Sequence, residues 1–150
     1  MPHTEGSRVG APARLAEDMS FLLARATALS VAAGNAALAP LGLKARSYSV
    51  LALAVDVDGP SQRELAEFLR LDPSQVVSLV DDLQGRGLVE RRPDPGDRRA
   101  NVVVATAAGR ALYERALVAA EAAERQLHAA LDDAERGQLA ALLRRIAFPD

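Results

Sequence analysis

Residues 61–92 carry two closely spaced helix starts followed by a change of hydrophobic period. Ser61 and Glu64 fit a capping box and predict a helix that runs to about residue 69. Asp72, Pro73 and Gln75 form a second N-terminal signature only three residues further on. The apolar residues of this second helix lie on one stripe, which consists of Val76, Leu79, Val80 and Leu83. Gly87 is placed to end the helix.

The next segment, residues 88–105, has the alternation and composition of a β-hairpin. The runs "LVERR" and "NVVVA" are rich in β-branched residues and are separated by Pro, Asp and Gly. Thr106 then caps a long helix that we expect to reach about residue 131. Asp132 and Glu135 open a last helix, which we expect to end near Phe148.

Two further helices are predicted before this region. Apolar residues recur at helical spacing from Arg14 until shortly before Pro40, and another helix covers about residues 44–55 before the "DVDGP" turn. The fold class is therefore mainly α with a small β-hairpin wing, which is a winged helix-turn-helix flanked by N- and C-terminal helices. The apolar faces of the flanking helices exceed what so small a domain can cover, so we expect a second copy of the chain to cover them in a homodimer.

We accordingly expect residues 1–10 to form a flexible tail and residues 11–43 an N-terminal dimerisation helix. Residues 44–106 would form the winged helix-turn-helix domain, and residues 107–150 the C-terminal dimerisation helices.

The composition excludes several classes of function. The chain has no cysteine, so a disulfide framework and a thiolate zinc site are excluded, and His3 and His128 lie too far apart to suggest a metal site. Neither a phosphate-binding loop nor a nucleophile motif is present, so we expect no enzyme, no cofactor and no metal. The Ala/Leu-rich residues 26–43 include Asn35 and Pro40, which argues against a membrane span and favours a cytoplasmic protein.

Positive charge is concentrated in the hairpin, although the net charge of the chain is −2. Four arginines bracket the "PDPGD" turn: Arg91, Arg92, Arg98 and Arg99. Arg91 and Arg92 must point to opposite faces of their strand, so only one of them can face a given binding partner. The helix before them has no basic residue between positions 72 and 85, and it carries Asp81 and Asp82. An i,i+4 pair between Asp82 and Arg86 could mask part of that negative charge.

At this point the chain resembles the MarR family of bacterial transcription regulators. "GLKARSYSVLALA" is similar to the family's second helix, and "SQRELAEFLRLDPSQVVSLVDDLQGRGLVERRPDPGDRRANVVVATAAG" is similar to its helix-turn-helix and wing. The resemblance implies a triangular homodimer that binds double-stranded DNA at pseudo-palindromic operators. It further implies a repressor of neighbouring genes that a small amphipathic ligand can release.

The resemblance and the side-chain chemistry together give three sets of DNA-binding candidates. Arg99 would enter the minor groove with Asp97 holding it in place, while Arg98 contacts phosphate. The resemblance makes the helix that begins at Asp72 the recognition helix. Its Ser74, Gln75 and Ser78 could read bases, although Gln75 and Ser74 could instead serve only the helix cap. The recognition-helix set is Pro73, Ser74, Gln75, Val77 and Ser78; the wing set is Asp97, Arg98, Arg99 and Arg92; the backbone-contact set is Ser61, Gln62, Arg63 and Arg46.

Arg46, Tyr48 and Tyr113 are the candidates for lining an effector pocket, although a tyrosine at helical spacing usually packs in the core and an arginine usually pairs or is solvated. A winged-helix domain that binds protein, without specific DNA binding, is the alternative function. The weakly basic recognition helix is the best support for that alternative.

Overall fold

The computed structural model describes residues 14–150 and consists of six α-helices and one antiparallel hairpin within that range. The elements in chain order are α1 (Met19–Leu38), α2 (Ala45–Asp56), α3 (Gln62–Leu69), α4 (Pro73–Gly85), β1 (Val89–Asp94), β2 (Asp97–Ala105), α5 (Ala107–Leu127) and α6 (Asp133–Ala147). The predicted tail, residues 1–10, and the first residues of the predicted N-terminal segment lie outside the described residues.

The core lies where α2, α3 and α4 pack against the hairpin. On α4 the predicted stripe is confirmed, with Val76, Val80 and Leu83 fully buried and Leu79 half-buried. The other large side chains of the core with almost no exposure are Leu38, Leu43, Val50, Leu51, Leu65, Val89 and Val103. The two helices of the helix-turn-helix and the wing therefore share one apolar core, as the winged helix-turn-helix prediction requires.

Local capping sets the helix starts. Asp72 accepts a hydrogen bond from the Ser74 amide, and Gln75 accepts one from the Asp72 amide, so the predicted capping box of α4 is confirmed. Ser61 caps α3 as predicted, through a bond of 3.0 Å from the Glu64 amide to its hydroxyl. The reciprocal bond differs, because the Glu64 carboxylate accepts from the Ser61 hydroxyl and not from its backbone.

Two glycines are required where the wing joins the helices. Gly87 has φ of +73° and ends α4 in the left-handed conformation that its position predicted. Gly109, in the first turn of α5, lies directly against the Leu88 carbonyl, and an added Cβ would overlap that oxygen. This close approach packs the start of α5 onto the entry to the wing.

The flanking helices have long exposed apolar faces. The regular part of α1 begins at Met19, capped by Asp18, and not at Arg14, because a short 3-10 turn (Leu15–Glu17) precedes it. By length and composition alone the segment Met19–Leu41 could cross a membrane, and little of it is buried inside the protomer. α5 ends at Leu127, about one turn earlier than predicted. Large apolar side chains of α1 and α6 are exposed: Met19, Leu22, Leu29, Val31, Leu142, Leu143 and Ile146.

Candidate DNA-binding surface

The exposed face of α4 has two parallel rows of side chains spaced four residues apart. One row begins with Pro73 and Val77, and the other begins with Ser74 and Ser78. All four side chains are exposed, as is Gln75. The first two turns of α4 therefore present apolar, hydroxyl and amide groups to solvent without any charge of their own.

The polar side chains of this face also serve the helix cap. Gln75 accepts from the Asp72 amide through Oε1 at 3.2 Å, and the Ser74 hydroxyl donates to Asp72 Oδ1 at 2.7 Å. The Ser74 hydroxyl and amide hold the pKa of the Asp72 carboxyl below its ordinary value. The capping role considered for Gln75 is thus confirmed, while its amide nitrogen can still donate outward. Base contact by Ser74, Gln75 or Ser78 stays a prediction.

Arg91 lies on the inner face of β1 and connects three elements. Its Nε donates to Gln62 Oε1 on α3 at 2.8 Å, and its Nη2 lies 2.7 Å from Asp81 Oδ1 on α4. Nη2 also donates to the Val77 carbonyl at 3.2 Å, and the Arg91 amide donates to Gln84 Oε1 at 2.9 Å. Only 19% of the side chain is exposed. We call this set of contacts the Arg91 clasp.

Arg92 lies on the opposite face of the strand, as strand alternation predicted. The register pairs Arg91 with the buried Val103 and Arg92 with Val102. The Arg92 side chain is 60% exposed and lies 3.1 Å from Glu90, its neighbour on the same face. Of the two adjacent arginines, Arg91 is engaged by residues of α3 and α4, and Arg92 faces outward.

The tip of the wing is preorganised by two aspartates. Asp94 Oδ1 accepts from the Gly96 amide at 2.9 Å, and Asp97 Oδ1 accepts from the Arg99 amide at 3.0 Å. Asp97 therefore holds Arg99 through its backbone and not through its guanidinium, so the guanidinium stays available. Arg98 and Arg99 are exposed, and neither forms an ion pair with another residue of the described range 14–150.

The backbone-contact candidates have unequal freedom. Ser61 caps α3 and forms an isolated antiparallel β-bridge with Val102. Gln62 belongs to the Arg91 clasp. Arg63 is exposed and pairs with Glu67 one turn along at 2.9 Å. Arg46 is exposed in the first turn of α2. The structure thus leaves Arg63 and Arg46 with exposed guanidinium groups, whereas the Gln62 carbonyl oxygen is already engaged.

The pair expected between Asp82 and Arg86 is wrong. Arg86 donates instead to the carbonyl oxygens of Gly42, at 2.7 Å, and Leu41, at 3.0 Å. These carbonyls belong to the turn between α1 and α2, where the chain has no helical partner for them, and a guanidinium fork can satisfy both. Asp82 stays exposed, and the negative charge that is compensated on α4 is that of Asp81.

The two tyrosines meet between α2 and α5. The rings of Tyr48 and Tyr113 are stacked, with centroids 5.9 Å apart and an angle of 29° between planes. Burial raises the pKa of both phenols, and the nearby carboxylates of Asp56 and Glu121 raise them further. Arg46 is only two residues from Tyr48 on the same helix, so the two side chains diverge. Of the three effector-pocket candidates, the structure brings together the tyrosines.

Sequence reasoning missed the role of Arg91 as a connection between helices. Its signal was the strand alternation, which showed that one arginine of the pair must point inward. The partners Gln62 and Asp81 could not be identified in this way, since they lie 29 and 10 positions away and on separate helices.

The comparisons with known proteins agree with this arrangement. A family model described as "MarR family" matches residues 41–100. A MarR-family transcriptional regulator from Rhodococcus sp. RHA1 is 43% identical, with a TM-score of 0.86 over 91% of this chain and 96% of its own. CouR from Rhodococcus jostii RHA1, solved with p-coumaroyl-CoA, is 44% identical, with a TM-score of 0.81 over the same shares.

A third solved relative is the Mycobacterium tuberculosis MarR-family protein Rv2887 in complex with DNA. It is 28% identical, with a TM-score of 0.73 over 86% of this chain and 97% of its own. Two curated transcriptional regulators are each 34% identical, and the chain spans 62% and 59% of their lengths. The relatives are regulators and not enzymes, in agreement with the expectation from the sequence. With its winged helix-turn-helix and its match to these structures over nearly its whole length, the chain belongs to the MarR family of transcriptional regulators.

Proposed function

We propose that the chain is a homodimeric, sequence-specific DNA-binding repressor of neighbouring genes. The observation that carries the proposal is the wing tip, where Asp97 fixes the Arg99 backbone while the Arg98 and Arg99 side chains remain exposed. A preorganised arginine suits the narrow minor groove, whose enhanced negative potential attracts it. Rv2887, a relative of the same fold, has been solved with DNA.

The distribution of charged side chains gives α4 and the surrounding arginines different roles in DNA binding. The exposed first turns of α4 read base edges through Pro73, Ser74, Gln75, Val77 and Ser78, with no cation of their own. Attraction to phosphate comes from Arg92, Arg98, Arg63 and Arg46, with lesser polar contacts from Ser61 and Gln62. Arg91 takes no direct part, because its guanidinium is bound within the domain.

The homodimer follows from the flanking helices. Leu142 is 55% exposed and Ile146 is 58% exposed on α6, and Met19 is 70% exposed on α1. Exposed apolar surface of this extent is costly in water, and a second copy that buries it would place two winged domains against one DNA duplex. Two-fold symmetry then requires a pseudo-palindromic operator. The same burial accounts for the apolar composition of α1 in a cytoplasmic protein.

A small amphipathic ligand would act between the dimer region and the winged domain. The stacked pair of Tyr48 and Tyr113 joins α2 to α5 at that junction. CouR, which shares 44% of its residues with this chain, has been solved with p-coumaroyl-CoA. Aromatic side chains suit an aromatic or acyl ligand, and movement of α5 relative to α2 would change the spacing of the two wings.

The test is selection of binding sites from fragmented genomic DNA, followed by gel-shift titration with the DNA that lies upstream of the gene encoding this chain. The proposal expects one or a few enriched pseudo-palindromic sites and retardation that unlabelled random DNA does not abolish. Absence of any enriched site would overturn it and would favour a winged-helix module that binds protein.

A further inference from the structure

Val77 is an exposed apolar residue at the centre of the face that α4 presents to solvent. Its side chain is 40% exposed. It follows Pro73 by one helical turn, and together they line a shallow groove between α3 and α4 whose other apolar members are Ala66 and Leu71. A β-branched side chain in a helix has essentially one rotamer, so the position of the Val77 methyl groups is fixed by the backbone.

The backbone at Val77 is itself held in place. Its carbonyl accepts from Arg91, whose guanidinium also bonds Gln62 and pairs with Asp81. Asp81 is the next residue of the Pro73–Val77 row, so the carboxylate closest to Val77 along the helix has its charge compensated. Asp82, one residue further, is exposed and repels phosphate, which favours insertion of the N-terminal half of α4.

An exposed apolar group on a base-reading helix needs an apolar partner when water leaves the interface. The major-groove edges of the four base pairs offer hydrogen-bond donors and acceptors and a single apolar group, the 5-methyl of thymine. We infer that Val77, backed by Pro73, is a specificity-determining residue that selects thymine by its methyl group at one position of each operator half-site. This inference rests on the proposed function and adds the chemistry of one base contact.

The experiment scans an operator obtained by in vitro selection, replacing each thymine in turn by deoxyuridine. This change removes only the 5-methyl group and leaves base pairing intact. Affinities of the full chain are measured by fluorescence anisotropy at fixed salt. The wild type should lose about threefold to fourfold in affinity at one thymine per half-site, the effect of one methyl group no longer buried. Val77→Ala should bind the thymine and deoxyuridine operators equally at that position.

Val57→Ala, the same change at a similarly exposed valine just beyond the end of α2, is the matched control and should keep the wild-type ratio of thymine to deoxyuridine affinities. Val77→Thr, which keeps the branched shape and one methyl group, is the second variant and should keep part of that ratio. The inference is overturned if the wild type is insensitive at every thymine, or if Val77→Ala keeps the full ratio. Failure of the wild type to select any operator would instead overturn the proposed function.

Discussion

Arg91 on β1 and Asp81 on α4 are joined by an ion pair of 2.7 Å between Nη2 and Oδ1. The pair compensates a carboxylate on a helix that has no basic residue of its own between positions 72 and 85. The same guanidinium reaches Gln62 on α3, so one side chain orients both helices of the helix-turn-helix relative to the wing.

Replacement of Arg91 by Ala should lower the free energy of unfolding by about 1–3 kcal/mol. The reason is that charge-assisted hydrogen bonds to Gln62 and Val77 are lost from a mostly buried side chain. Asp81 is 62% exposed, so the ion pair itself adds little. Urea unfolding at one fixed protein concentration measures the change, because a dimer's stability depends on concentration.

Arg92→Ala is the matched control for that substitution. Its guanidinium is exposed and pairs only with the exposed Glu90, so the free energy of unfolding should change by less than about 0.5 kcal/mol. Arg92→Ala should instead affect DNA binding. It should lower the slope of log operator affinity against log salt concentration by about one. Equal losses of stability in the two variants would contradict the clasp.

The wing substitution Arg99→Ala should weaken operator binding at least tenfold, about 1.4 kcal/mol, while leaving the fold and the dimer intact. Asp97 would still hold the backbone at this position, so only the guanidinium is removed. Anisotropy titration at physiological salt measures the loss, and circular dichroism checks the fold. Arg115→Ala, an exposed arginine of α5 distant in sequence from the wing, serves as the control. Unchanged affinity of Arg99→Ala would remove the proposed role of the wing.

The sequence predicted those features of the fold that depend on neighbouring residues. Asp72, Pro73 and Gln75 fixed the start of α4, and Thr106 fixed the start of α5, because caps act within three residues. Strand alternation predicted that Arg91 and Arg92 diverge. It could not predict which of them points inward, since that depends on how the register places Val103 in the core.

Contacts between distant segments were outside the reach of the sequence. Arg86 bonds carbonyls more than forty residues earlier, and the neighbouring Asp82 offered a local partner that the folded chain does not use. The helical spacing of apolar residues did predict apolar faces on the flanking helices. The DNA-binding and ligand-binding roles of individual residues remain predictions.

Gly109→Ala should be among the most destabilising single substitutions in the chain. The added methyl group overlaps the Leu88 carbonyl, a backbone atom that cannot rotate away, so a loss of about 3 kcal/mol or more is expected. Gly85→Ala at the end of α4 is the matched control, because nothing lies within 4 Å of the place its Cβ would occupy and helix propensity improves. The melting temperatures of the two variants are measured side by side by thermal unfolding. Equal melting temperatures for Gly109→Ala and Gly85→Ala would refute the packing argument.

Introduction of charge on α6 should dissociate the dimer. Ile146→Glu places a carboxylate on an exposed apolar face that the proposed dimer buries, and an unpaired buried charge is strongly unfavourable. Sedimentation should show a monomer with reduced operator affinity. Val57→Glu, at an exposed apolar residue beyond the end of α2, should remain dimeric. A dimer of unchanged stability in Ile146→Glu would place the interface elsewhere.

The tyrosine pair should titrate at higher pH in the folded protein than in the unfolded chain. Burial raises the pKa of Tyr48 and Tyr113 above the ordinary value of 10.0, so their contribution to stability is complete below pH 10 and is lost as the pH rises through the folded-state values. The chain has two tyrosines and no tryptophan, so ultraviolet absorbance reports both phenols directly. Identical midpoints of the tyrosine titration in buffer and in denaturant would contradict the packing of the two rings.

The salt dependence of wild-type binding to the selected operator tests the central claim most directly. If arginines of the wing and of α2 and α3 neutralise phosphates, log affinity should fall linearly with log salt, with a slope set by the number of phosphates contacted. Mutation of Arg98 and Arg99 together should reduce that slope. A flat response to salt, or the same affinity for operator and random DNA, would contradict the account.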